Sequence, residues 1–131
     1  MSTLDAVRLN VKFPTGNVEP LLHEIRHALK RLAAGEEGTV IDLKSLPMAP
    51  GEEQRIESAL GEGEVRAELQ ALGPTVVQET AYPGVWLVTH RNAENEVVAR
   101  FIEVTRMPEI LMAQREDIER GIEKLESELQ E

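Results

Sequence analysis

The sequence predicts an α+β fold, a four-stranded antiparallel sheet packed with an N-terminal amphipathic helix, a short middle helix and a long C-terminal helix. Three observations predict it. Apolar residues recur at helical spacing from Val18 to Leu32, four segments between Val65 and Thr105 alternate or run in β-branched residues, and helical spacing returns in a charged stretch after Pro108. The whole of 1–131 reads as one domain, because a chain of this length needs only one core.

Each element follows from its local pattern. Val7, Leu9, Val11 and Phe13 alternate with polar neighbours as a short strand does, and Pro14-Thr15-Gly16-Asn17 stops it, so residues 1–17 read as an extended segment. From Val18 the stripe Val18, Leu22, Ile25, Leu29 and Leu32, with Leu21 and Ala28 beside it, runs along a helix. Asn17 is placed to cap that helix, Glu19 suits its first turn and Gly35 ends it. Thr39 to Leu43 is a short β-type run outside the four-stranded sheet, and Ser45 to Gly51 holds too much proline for helix or strand and reads as a structured loop.

Glu52 to Leu60 makes the short helix, with Ile56, Ala59 and Leu60 as its apolar side and Gly61 as its stop. The four strands are Val65 to Leu69, Val76 to Thr80, Val85 to His90 and Val97 to Thr105, and a meander is their simplest assembly. Asn92-Ala93-Glu94-Asn95 is a polar turn of hairpin length, while Gly73-Pro74 and Tyr82-Pro83-Gly84 punctuate the other connections. Glu109 to Glu131 is expected to be one long helix. Its apolar positions Leu111, Ile118, Ile122, Leu125 and Leu129 form a narrow stripe that either docks on the sheet or pairs with another helix.

Composition narrows the function. With 41% hydrophobic and 29% charged residues the chain is globular in type, and its single Trp, single Tyr and two Phe require an aliphatic core. The net charge of −10 and the scattered Lys and Arg argue against nucleic acid, whose phosphates are met by clustered cations. No cysteine is present, which excludes disulfides and thiolate chemistry and fits the cytoplasm. No segment approaches the roughly 20 apolar residues of a bilayer span, and the N-terminus lacks a signal-peptide pattern.

The loudest local signal is His23-Glu24-Ile25-Arg26-His27, the H-E-x-x-H spacing that puts two imidazoles on one helix face for zinc and a Glu beside them for water activation. Arg26 between the histidines opposes a cation, the pair falls to the solvent side of the apolar stripe, and no third ligand stands at a persuasive spacing. The expectation is two surface histidines and no metal, with a zinc-dependent hydrolase using His23, Glu24 and His27 as the alternative. His90 ends a strand beside Arg91 and Asn92 as a hairpin-tip residue. Ser2, Ser45, Ser58 and Ser127 show no nucleophile elbow, and Gly61-Glu62-Gly63-Glu64 carries carboxylates where a phosphate cradle needs neutral or basic surroundings. Trp86 is either the main filler of the sheet core or an interface anchor.

Several strings together resemble a family. Leu21 to Leu29, Ile41 to Gly51 (Ile-Asp-Leu-Lys-Ser-Leu-Pro-Met-Ala-Pro-Gly), Leu60 to Val65, Pro83 to Asn92 (Pro-Gly-Val-Trp-Leu-Val-Thr-His-Arg-Asn) and Arg100 to Leu111 resemble, in order, the C-terminal domain of the HupH/HyaF hydrogenase expression proteins. The resemblance implies a non-enzymatic, cofactor-free accessory or chaperone role in nickel-iron hydrogenase maturation. The implied partner is an immature subunit, the iron-sulfur small subunit before export, or another hydrogenase assembly protein. The family's longer chains carry related domains in tandem and this sequence carries one, which makes the helix at 109–131 a candidate element for homodimer formation. Candidate partner contacts are residues the fold does not obviously require: Ser45, Leu46, Pro47, Met48 and Pro50, the acidic turn with Glu62 and Glu64, and Tyr82 with Trp86. A regulatory domain with an unrelated protein partner is the remaining alternative.

Overall fold

The computed structural model describes residues 16–70 and 73–129; the strand expected at Val7 to Phe13 lies outside the described residues. Helix α1 spans Val18–Ala33, strand β1 Thr39–Asp42, helix α2 Glu52–Leu60 and strands β2 to β5 Arg66–Gln70, Pro74–Glu79, Val85–Arg91 and Val97–Val104. A 3-10 turn at Leu43–Ser45 follows β1, a second at Glu109–Leu111 follows β5, and helix α3 covers Arg115–Glu128. The sheet order is β1-β5-β4-β3-β2, antiparallel throughout.

The meander of β2 to β5 is the expected one, but the sheet has five strands rather than four. Thr39–Asp42, the β-type run placed outside the sheet, pairs with the end of β5, Thr39 opposite Val104 and Asp42 opposite Phe101. Four residues carry too little periodicity to announce a partner some sixty positions away. At the β4–β5 hairpin the Asn92 carboxamide oxygen accepts the amides of Glu94 and Glu96, both at 2.9 Å, and Asn95 takes a left-handed φ of 66°.

Helices α1 and α2 cover one sheet face. Leu21, Ile25 and Ala28 of α1 and Ile56 and Leu60 of α2 are buried with Ile41, Leu43, Val85, Leu87, Ile102 and Val104. The stripe on α1 is rotated relative to expectation: Leu21 and Ala28 are buried along with Ile25, while Val18, Leu22, Leu29 and Leu32 are half-buried flanks. Both tracks satisfy helical spacing, and only the way the helix rolls onto the sheet selects one. Ala59, expected on the apolar side of α2, is exposed. The place it was expected to fill in the helix's anchoring belongs to Glu52, which is fully buried.

Nor does Asn17 cap α1 through its side chain, because its backbone is helical (φ −75°, ψ −15°) and its carboxamide donates to the Pro47 carbonyl instead. The capping oxygen comes from Glu52, whose Oε2 accepts the amides of Gly16 at 3.0 Å and Asn17 at 3.1 Å while Oε1 accepts that of Ala49 at 3.0 Å. One buried carboxylate thereby joins the start of α1, the proline loop and the start of α2, and it sits at the positive ends of both helix dipoles.

The other sheet face carries a second cluster of Val77, Trp86 and Val88, flanked by Ala67, Leu69, Phe101 and Leu111. Because β4 is central and both its faces are apolar, Val85 to Val88 are buried at four successive positions. The single helix expected over 109–131 is broken. Leu111 closes the 3-10 turn and lies against the Trp86 cluster, Met112 and Gln114 are extended, and α3 starts only at Arg115. Seating Leu111 in the sheet takes it out of register with Ile118, Ile122 and Leu125, all of which remain exposed.

Candidate functional site

The candidate contact residues occupy three places. At one end of α2, the loop of Ser45 to Pro50 is held by its own hydrogen bonds: Asp42 accepts the Lys44 amide at 3.0 Å and the Ser45 hydroxyl donates to the Asp42 carbonyl at 2.9 Å. Leu46 and Met48 turn half-buried onto the helix-covered core, leaving Ser45, Pro47 and Pro50 exposed. Gly51 takes a left-handed φ of 86° before α2 begins.

At the other end of α2, the acidic turn and the β3–β4 turn converge. The Ala81 amide donates to the Leu60 carbonyl at 2.9 Å and the Gly63 amide to the Glu79 carbonyl at 2.7 Å. The Glu79 carboxylate accepts the amides of Glu64 at 3.0 Å and Val65 at 3.2 Å. Gly63 is required by this approach, since a Cβ there would meet the Thr80 carbonyl oxygen at 2.4 Å. Glu62, Glu64 and Tyr82 therefore share one exposed corner, with Tyr82 half exposed above the Thr80 hydroxyl that accepts its amide at 3.1 Å. Nine residues of helix, about 13 Å at 1.5 Å per residue, separate this corner from the proline loop.

Trp86 belongs to neither surface. It is only 6% exposed, on the sheet face away from both helices, and its indole nitrogen donates to the Thr105 carbonyl at 3.0 Å. Of its two expected roles, this is the geometry of a core filler with a satisfied polar end. His23, Glu24 and His27 are exposed on α1. Among the described residues no group of three or more His, Cys, Asp or Glu side chains is placed to hold a metal ion.

Sequence reasoning missed a cleft beside edge strand β1. It measures about 1050 Å³ and lies between β1, the end of β5, the turn after it and the start of α3. Val40, Met107, Ile110 and Met112 give it apolar surface. Glu37, His90, Glu103, Glu109 and Asp117 give it titratable groups, and among the described residues no Lys or Arg lines it. The imidazole Nδ1 of His90 lies 2.9 Å from the Thr75 hydroxyl and its ring stands edge-on to Phe101 at 5.8 Å. Glu103 is pushed above the usual carboxylate range, chiefly by burial, with His90 opposing and Glu109 adding to the rise. The signal was present in Met107 to Met112, four apolar residues in six, but reading that run partly as helix concealed it.

A second hollow of about 510 Å³ on the helix-covered face contains Arg66, Arg91 and Arg100. All three guanidiniums are engaged: Arg100 with Glu53, Glu57 and Thr89, Arg66 with Glu68 and Gln78, Arg91 with the Asn95 carbonyl. These contacts brace α2 and the hairpin.

Comparison with known proteins places this architecture. The family model described as "HupH hydrogenase expression protein, C-terminal conserved region" matches residues 15–131. The chain belongs to this HupH C-terminal family. Among the family's curated relatives, the hydrogenase expression/formation protein HoxQ of Azotobacter vinelandii is 32% identical over 111 residues, covering 83% of this chain and 39% of the relative. The hydrogenase expression/formation protein HupH of Rhizobium leguminosarum bv. viciae is 32% identical over 101 residues, covering 77% of this chain and 36% of the relative. This HupH-type chain thus spans under two fifths of the length of those relatives. A solved structure, hydrogenase expression protein HupH from Thiobacillus denitrificans ATCC 25259, superposes with a TM-score of 0.85 at 38% identity, covering 89% of this chain and 98% of its own.

Proposed function

We propose that this HupH-type chain is a non-enzymatic accessory factor of nickel-iron hydrogenase maturation that acts in the cytoplasm by holding an immature hydrogenase subunit. The supporting observation is the match to HupH proteins over nearly the whole chain, in sequence and in fold. The iron-sulfur small subunit before export is the proposed partner, with another hydrogenase assembly protein as the second choice. No helix among the described residues is long and apolar enough to cross a membrane, and their architecture presents clefts and exposed turns at its surface. Co-expression with each hydrogenase subunit, followed by affinity capture of this chain, tests the reading. Recovery of the immature small subunit, but not of the mature exported one, is expected. Recovery of neither, under conditions where a longer HupH protein retains its partner, sinks the proposal.

A further inference from the structure

The stripe of α3 is covered by nothing among the described residues. Ile118, Ile122, Leu125 and Leu129 are 51 to 61% exposed, and no residue of α3 is buried. They follow the d, a, d, a order of a heptad, and the positions that flank such a seam are acidic: Glu119 and Glu126 at e, Glu128 at g, with Gly121 at the other g. At the foot of α3 the same chemistry continues into the cleft beside β1, through Met112, Ile110 and Val40 with Asp117, Glu109 and Glu103 around them. Apolar residues flanked by carboxylates thus occur both on the helix and in the cleft at its foot, with Arg115, paired to Glu119 at 3.3 Å, between them.

A second copy of this chain matches that surface poorly. Antiparallel pairing sets Glu119 against Glu126 of the other helix, and like charges at facing positions oppose association. Parallel pairing sets Arg115 against Arg115 in the seam and offers only Gly121 opposite Glu126. Two heptads also fall short of the three or four that support an independent coiled coil.

We propose that α3 and the cleft at its foot form one docking surface for a basic amphipathic helix of another protein, whose apolar ridge covers the α3 stripe and whose flanking Lys or Arg residues meet Glu119, Glu126 and Glu128. The inference rests on the protein-binding role proposed above and supplies the chemistry of the partner. Charge complementarity selects the occupant, because among the described residues the surface carries one cation, Arg115, already paired with Glu119, against the carboxylates of Glu126, Glu128, Asp117 and Glu109, and this acidic excess rejects acidic and self-like helices and steers basic ones.

The test uses the full chain and two labelled helical peptides, both with Leu at a and d, one with Lys and one with Glu at e and g, read by fluorescence anisotropy. The Lys peptide is expected to bind at least about tenfold more tightly than the Glu peptide, with affinity falling as salt rises. Ile118→Ser with Leu125→Ser should weaken it by about tenfold or more, and Glu119→Lys with Glu126→Lys should both weaken it and admit the Glu peptide. All four positions are exposed, so circular dichroism should show the fold retained. Glu68→Lys with Glu94→Lys, the same charge change on β2 and the hairpin, should leave binding unchanged. Equal weakening by that control, no preference for the Lys peptide, or a sedimenting dimer that the Ile118→Ser, Leu125→Ser variant returns to monomer would each overturn the proposal. Failure to capture a hydrogenase subunit leaves the peptide result standing, so the two readings fail separately.

Discussion

The Glu52 carboxylate, fully buried in the first turn of α2, accepts the Asn17 amide at 3.1 Å from across the start of α1. Together with the bonds from Gly16 and Ala49 this makes one side chain the joint of three backbone segments. Removing it strands three partly buried donors and leaves a hole where a fully buried side chain stood. Glu52→Ala is expected to lower unfolding free energy by about 3 kcal/mol, and Glu52→Gln by roughly 2 kcal/mol because an amide nitrogen then faces N–H groups. Urea denaturation checks both; a loss below about 0.5 kcal/mol, the range of ordinary surface substitutions, contradicts this role.

Trp86 is the one tryptophan, and its burial makes it an internal reporter. Its emission should be blue-shifted in the folded protein and move red as the sheet opens. Trp86→Phe keeps most of the ring area but leaves the Thr105 carbonyl without its indole donor, at an expected cost of about 1 to 2 kcal/mol. Trp86→Ala should cost about 3 to 5 kcal/mol through the cavity left among Val77, Val88 and Leu111. Thermal or urea unfolding followed by far-ultraviolet circular dichroism compares the two.

Glu103 predicts a pH dependence of definite sign. Burial, the largest cause, raises its folded pKa above the ordinary carboxylate value. The folded state therefore keeps the proton to higher pH than the unfolded chain does, and this residue's contribution to stability falls as pH rises from the unfolded value to the raised one. Glu103→Gln removes that titration. The variant should be more stable than the parent at neutral pH, with the difference shrinking as pH falls through the window, in a series of denaturation midpoints. A variant less stable than the parent at neutral pH would show that the carboxylate is favoured by contacts in the cleft.

Gly63 tests the converging corner. A methyl group there meets the Thr80 carbonyl at 2.4 Å and a Glu79 carboxylate oxygen at 2.7 Å, so Gly63→Ala must displace the turn that carries Glu62 and Glu64. A loss of about 1 to 3 kcal/mol is expected. Hydrogen exchange should quicken at Gly63, Glu64 and Val65, whose amides bond to Glu79, before it quickens in β4 and β5.

By itself the sequence determined the α+β class, the span of the meander, the two helices from Val18 and Glu52, and the hairpin turn at Asn92. These rest on residue periodicity and turn chemistry, which act between near neighbours and are complete in a short window. Its string resemblance to HupH proteins was also legible, because it needs only the order of residues. Contacts between distant segments needed the fold. The joining of Thr39–Asp42 to β5, the roll of α1 onto Leu21 and Ala28, and the capping of its start by Glu52 in place of Asn17 all depend on residues far away in sequence. The candidate site divides in the same way. Glu62, Glu64 and Tyr82 were each visible as exposed turn residues, but their convergence was not. At the C-terminus the stripe of α3 was legible in its spacing. Its separation from Leu111 and its exposure to solvent were decided only when the second sheet face took Leu111 into the Trp86 cluster, a choice of burial that no local pattern encodes.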